Sequence, residues 1–264
     1  MSEKIVNFSD KQGRKIVGTL LLPEGAGPFP AVVICHGFRG DRNQENLTEI
    51  TEETSKKDIV TFRFDFTKVP GESDLPLEDM TITYELEVLD LALDFLRKIP
   101  EVNKDKIGLA GHSLGGLVVA WYAAAHPEIK SLTLLSAVYN FLIMWNHRYG
   151  EETAKEMQEK GFAMIYSTRF KRDLKMKVGF YEDAQKYDID QVIDTLTCPI
   201  LVIAGTEDEA VTLDHAQHYL DRAPSLQKEL KIIRGADHNY TDPKNLEEVK
   251  TAVADWFEKT LNNP

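Results

Sequence analysis

Residues 111–116 read Gly-His-Ser-Leu-Gly-Gly. A serine with glycines two positions either side is either a nucleophile or a small residue in a small-residue turn. The hydroxyl needs a base to take its proton. The base needs a carboxylate to fix its tautomer and stabilise its cation. The oxyanion that forms needs preorganised N–H donors. The chain offers a candidate for each.

The base is sought among seven histidines. His238 lies in RGADHNYTD, after an apolar run and before the last helical pattern, so it is the expected base. His36 and His112 sit at strand ends beside other candidate segments. His126, His147, His215 and His218 fall in helical or inserted stretches and read as surface or packing residues. For the acid, GTEDEAV at 205–211 offers Glu207, Asp208 and Glu209, and Asp208 is the expected partner. Asp237 is the weaker competitor, because adjacent side chains in an extended segment diverge. The donors are read as the backbone N–H groups of Leu114 and of Phe38, in CHGFRGD at 35–41.

These residues work only if the fold brings them together. The first 35 residues read as a hairpin followed by a buried strand. Apolar strand runs (58–66, 106–112, 131–137, 199–205, 228–235) then alternate with helical stripes (44–57, 80–99, 114–127, 212–223, 243–263). Near-continuously apolar strands between helices predict a mostly parallel, doubly wound α/β sheet covered on both faces. Ser113 then falls at a strand-to-helix junction, the context of a nucleophile elbow. Gly111 and Gly115 make room for the sharp turn, and Gly116 lets the helix lie close to a neighbouring strand. The chain order Ser113, Asp208, His238 is that of the α/β hydrolases.

The rhythm stops between 139 and 196, a stretch rich in aromatics and methionine. A structureless loop that long is improbable in a compact domain. The segment reads as an inserted cap with helical pieces and a hairpin within STRFKRDLKMKVGFY (167–181), and the core as 1–138 with 197–264. The alternative is two ordinary helices on the sheet.

The chain has 264 residues, 42% apolar and 28% charged, with a formal net charge of −12. That acidity disfavours nucleic acid and anionic membrane surfaces as partners. The first residues show no secretory signal, and no apolar run is long enough to span a bilayer. Cys35 and Cys198 sit in apolar runs and read as buried thiols of a cytoplasmic protein, not as a disulfide framework or a metal site.

Taken together, ICHGF, GHSLGG, GTEDEAV and GADHNY resemble the α/β-hydrolase superfamily along nearly the whole chain. More narrowly, the HGF segment, the GHS elbow and the insert resemble small carboxylesterases that include bacterial feruloyl and cinnamoyl esterases. The resemblance implies Ser113, Asp208 and His238 as triad and Phe38 and Leu114 as oxyanion donors. One segment departs from the pattern. Where such esterases often carry Asp-x-x-Gly-x-Gly-x-Ser, this chain reads DFTKVPGESD at 65–74, keeping Asp65, Gly71 and Ser73.

The expected function is hydrolysis of small to medium carboxylic esters, hydroxycinnamoyl esters among them, through an acyl-serine. No cofactor or metal is required, and activity falls as the imidazole base protonates. A thioester hydrolase or small peptidase on the same fold is the second reading. The large prolyl peptidases carry an extra domain of several hundred residues for which this chain has no room. A non-catalytic ligand-binding protein is the third. Phe141, Trp145, Tyr149 and Phe180, with Phe162 and Met164, either line a substrate pocket or form the insert's own core. Homodimer formation stays open.

Overall fold

Successive side chains along a strand point to opposite faces, and along Phe29–Cys35 both faces are apolar. Val32 and Ile34 join a cluster with Leu47, Ile50, Val253 and Phe257. Val33 and Cys35 belong to a larger one with Leu89, Leu117 and Val118. A strand buried on both faces demands helices on both faces.

In this computed structural model, which describes residues 1–167 and 170–262, the chain runs as follows. β1 (Ser2–Ser9) and β2 (Lys15–Leu22) precede β3 (Phe29–Cys35), α1 (Glu45–Ser55), β4 (Val60–Phe64), α2 (Ile82–Leu96) and β5 (Val102–His112). Then come α3 (Leu114–Ala125), β6 (Ser131–Leu135), α4 (Phe141–Lys160), β7 (Phe162–Ser167), β8 (Arg172–Lys177) and α5 (Val178–Ala184). β9 (Ile200–Gly205), α6 (Leu213–Arg222), β10 (Lys228–Ile233) and α7 (Pro243–Phe257) complete it.

The main sheet has the order β1-β2-β4-β3-β5-β6-β9-β10. β2 pairs antiparallel with β1 and β4, and the remaining neighbours are parallel. This is the α/β-hydrolase fold. Because β3, β4, β5, β6, β9 and β10 run the same way, the loops that follow them share one edge of the sheet. In open parallel sheets that edge is where ligands bind.

The helices start where local chemistry allows. The Thr81 hydroxyl accepts from the Tyr84 N–H at α2, and Asp242 accepts from the Lys244 N–H at α7 with Pro243 in its first turn. Such caps satisfy amides that lack an intrahelical partner.

Between β6 and β9 the chain builds a separate layer. α4 breaks at Gly150 (φ 74°, ψ 165°) and ends at Gly161 (φ 80°). β7 and β8 form their own antiparallel ribbon. The expected hairpin is therefore displaced: its first strand is FAMIYS, and residues 178–181, the end of the expected stretch, are the start of the α5 helix. Period-two burial along β7, with Ala163 and Ile165 inward, is the signal that separates it from α4. Thr168 and Arg169, within the expected hairpin, lie outside the described residues.

Candidate active site

Ser113 sits between β5 and α3 with φ 56° and ψ −120°, a conformation side-chain-bearing residues rarely adopt. Three backbone bonds hold it there. Ser113 N–H donates to Leu135 O (2.9 Å), and Ser113 O accepts from Gly116 (3.0 Å) and Val138 (3.1 Å). Strain of this kind persists only where the surroundings over-determine it. The glycines behave as the sequence spacing requires. A Cβ on Gly115 would stand 2.4 Å from His36 O, and one on Gly116 would stand 2.4 Å from the Ala137 Cβ.

Asp208 follows β9 and His238 follows β10, adjacent parallel strands. His238 Nδ1 lies 2.8 Å from Asp208 Oδ2. A carboxylate only accepts, so Nδ1 carries the proton and Nε2 is left free to accept one. The other Asp208 oxygen accepts from the Ala210 (2.9 Å) and Val211 (2.8 Å) N–H groups. Burial pulls the Asp208 carboxyl up. The bond and charge of His238, the Val211 N–H and the Ser136 hydroxyl outweigh it, and the carboxyl titrates below the ordinary aspartate range. Glu207 and Glu209 are exposed. Asp237 is spent on its own turn, accepting from the Asn239 and Thr241 N–H groups.

Ser113 and His238 line one cavity of about 120 Å³, together with Gly37, Phe38 and Gln44. Among the described residues no hydrogen bond joins Ser113 to His238, a looseness common in unliganded sites. The N–H groups of Phe38 and Leu114 have no acceptor among the described residues, so both are available to a ligand.

The Phe38 loop is held from below. Asp65 accepts from the Arg42 N–H (2.7 Å), from the Arg42 guanidinium and from the Glu72 N–H (2.9 Å). The Ser73 hydroxyl donates to Asp65 O (2.6 Å) and accepts from the Val17 N–H (3.0 Å). The retained residues of the departing segment 65–74 thus anchor the loop after β3, and the altered ones leave that anchor intact.

Of the five aromatics considered for the pocket, Tyr149 lines the cavity and Phe162 does not. Phe141, Trp145 and Phe180 are 2%, 0% and 1% exposed. Their rings pack together at 5.3–6.3 Å, and Phe180 stacks on Phe38 at 4.8 Å. They form the aromatic core beneath the cavity wall.

Sequence reasoning passed over several residues here. His112 Nε2 donates to the His238 carbonyl at 2.8 Å, bracing the His238 backbone. Burial, with the adjacent His238 adding to it, pushes His112 down to about 3, so it is a neutral donor. Its position beside Ser113 was the available signal. Arg39 reaches from the Phe38 loop to Ile165 O (3.3 Å), Tyr166 O (3.0 Å) and the Tyr149 hydroxyl (3.0 Å). It fastens the loop to the layer above. Met144, Arg148 and Ser167 complete that side of the cavity, and no sequence pattern marks them. His36 is structural: Nδ1 donates to Gly37 O (2.9 Å) and Nε2 accepts from the Phe66 N–H (3.2 Å).

Residues 87–264 match the model of the prolyl oligopeptidase family. The chain belongs to that family. Residues 1–153 match the FrsA-like esterases. The prolyl oligopeptidase match begins within α2 and takes in every element after it. The palmitoyl-protein thioesterase ABHD10 of Mus musculus is 23% identical over 237 residues, covering 88% of this chain and 77% of that protein. The esterase EstD of Thermotoga maritima is 26% identical over 247 residues, 84% of this chain and 57% of EstD. The chain thus spans little more than half of EstD. Among solved structures, Est1E of Butyrivibrio proteoclasticus with ferulic acid bound superimposes with a TM-score of 0.84 at 24% identity, covering 98% of this chain and 100% of that one. The chain is a hydrolase of the α/β-hydrolase type. Among the described residues no helix is long and apolar enough to cross a membrane.

Proposed function

We propose that the chain is a serine carboxylesterase acting on small to medium esters through an acyl-serine. The observation that carries this reading is the 2.8 Å His238–Asp208 bond in the wall of the cavity that also holds Ser113 in its strained turn. Nε2 of His238 takes the Ser113 proton as Oγ attacks the ester carbonyl carbon. The Phe38 and Leu114 N–H groups bind the oxyanion, and the positive end of α3 adds to them. His238 returns the proton to the leaving alcohol as the C–O bond breaks. It then takes a proton from water as the water oxygen attacks the acyl carbon, and gives that proton to Ser113 Oγ as the acyl C–Oγ bond breaks and the acid leaves.

The layer of residues 139–196 serves as a cap that selects the acyl or alcohol group, joined to the core through Arg39. Hydroxycinnamoyl esters are one expected class, by the resemblance to Est1E. Thioesters follow the same chemistry, and the mouse thioesterase relative supports them as the second reading. Cys35 and Cys198 are both free, which suits a reducing compartment.

The test is a panel of p-nitrophenyl acetate, butyrate and octanoate, methyl ferulate, an acyl-thioester and an acyl-peptide anilide, with wild type and Ser113→Ala. Turnover of oxygen esters that vanishes in Ser113→Ala is the expected result. Turnover that survives the substitution overturns it.

A further inference from the structure

The chain carries 43 acidic and 31 basic residues, so a cavity wall drawn at random from its charged residues would be mostly acidic. The cavity at Ser113 is the reverse. Its lining includes Arg39 and Arg148, and no aspartate or glutamate among the described residues. The carboxylate of Asp208 stands behind His238, outside that lining.

Neither arginine has a carboxylate partner among the described residues. Arg39 gives its terminal nitrogens to two carbonyls and a phenol, and its Nε is buried with no acceptor. Arg148 is exposed and lies over the Tyr149 ring, 5.6 Å from its centroid. By contrast Arg14, Arg42, Arg63, Arg97 and Arg222 each have an acidic group within 4.0 Å. Burial lowers Arg39 from the ordinary arginine value, Tyr149 works against it, and the charge of Arg148 lowers it further. Two like charges facing one space repel unless an anion enters between or beside them.

We infer that the substrate of this site carries an anionic group, a carboxylate or phosphate away from the scissile bond, which Arg148 binds with the field of Arg39 behind it. The inference deepens the esterase reading and rests on it. A positive cleft in an acidic protein draws anions to the site that the rest of the surface repels. A guanidinium suits oxyanions because its planar fork matches their geometry.

The experiment uses two matched pairs of esters. On the acyl side, the mono-p-nitrophenyl ester of adipic acid is compared with p-nitrophenyl hexanoate. On the alcohol side, the butyrate ester of p-hydroxybenzoate is compared with the butyrate ester of its methyl ester. The quantity read is the ratio of kcat/KM, anionic over neutral, for wild type, Arg148→Gln and Arg148→Lys. In one pair the wild-type ratio is expected above unity, falling with added salt as Coulomb attraction is screened. Arg148→Gln is expected to lower that ratio about tenfold, the scale of one charge-assisted hydrogen bond, and Arg148→Lys to restore part of it. The pair that responds tells which side of the ester carries the anion. Ratios below unity in both pairs, or a ratio untouched by Arg148→Gln, overturn the inference and leave the esterase reading standing. Absence of turnover of all four esters by wild type overturns both.

Discussion

Asp208 and His238, thirty positions apart in sequence, meet through a 2.8 Å bond between Oδ2 and Nδ1 because β9 and β10 are adjacent and parallel. The loops leaving their C-terminal ends are neighbours, so an acid on one reaches a base on the other. Replacing Asp208 by Asn keeps the shape but can stabilise the wrong imidazole tautomer. Turnover of p-nitrophenyl butyrate should fall by about 10⁴-fold. Steady-state kinetics on the folded variant checks it; a loss below tenfold would place the acid elsewhere.

The same carboxyl sets a pH dependence of stability. Its folded-state titration lies below that of an unfolded aspartate, so its contribution is present above the unfolded value, about 3.9. That contribution is lost as pH falls through the folded value. The Tm gap between wild type and Asp208→Asn should be constant near neutrality and close as pH drops below about 4. Thermal melts from pH 7 down to the acid transition measure it.

Ser113 is held at φ 56°, ψ −120°, where glycine is at ease and serine is strained. Ser113→Gly should abolish ester turnover and yet stabilise the fold by about 1 kcal/mol, raising the Tm by roughly 2 °C. Ser113→Ala should abolish turnover without that gain. Calorimetry of the two variants side by side decides it, and a Gly variant less stable than the Ala variant would mean the turn is not strained.

On the proposed mechanism His112, bonded to the His238 carbonyl, acts through His238 and not on substrate. His112→Leu leaves the His238 carbonyl without its donor, at a cost of about 1–3 kcal/mol, and should lower kcat about tenfold with KM little changed. Gln places an amide N–H near the position of Nε2, so His112→Gln should recover much of the loss. Failure of Gln to do better than Leu would assign His112 to packing alone.

Trp145 is wholly buried and Tyr149 faces the cavity. Trp145→Ala should cost about 3–5 kcal/mol, the cavity penalty of a large core aromatic. Tyr149→Phe removes only the hydroxyl that Arg39 grips and should cost about 1 kcal/mol while shifting the preference among esters. Denaturant melts and the ester panel on both variants separate the two roles.

Much of this was legible in the sequence. Gly-His-Ser-Leu-Gly-Gly at a strand-to-helix junction imposes its own local geometry, because a Cβ on Gly111 would stand 2.2 Å from the Gly115 carbonyl oxygen across the turn. Apolar runs such as AVVIC, filled on both faces, dictate a covered parallel sheet. A parallel sheet in turn sends the loops carrying Ser113, Asp208 and His238 to one edge. Local sterics and strand periodicity are written residue by residue, and they determined the fold class and the positions of those three residues. Only the tertiary structure decided what surrounds them. The boundary of the β7–β8 ribbon, the burial of Phe141, Trp145 and Phe180, the brace from His112 and the pairing of Arg39 with Arg148 all depend on how the 139–196 layer settles on the sheet. That packing is a sum of non-local contacts between residues far apart in the chain, and no short stretch of sequence encodes which side of an aromatic or arginine faces the cavity.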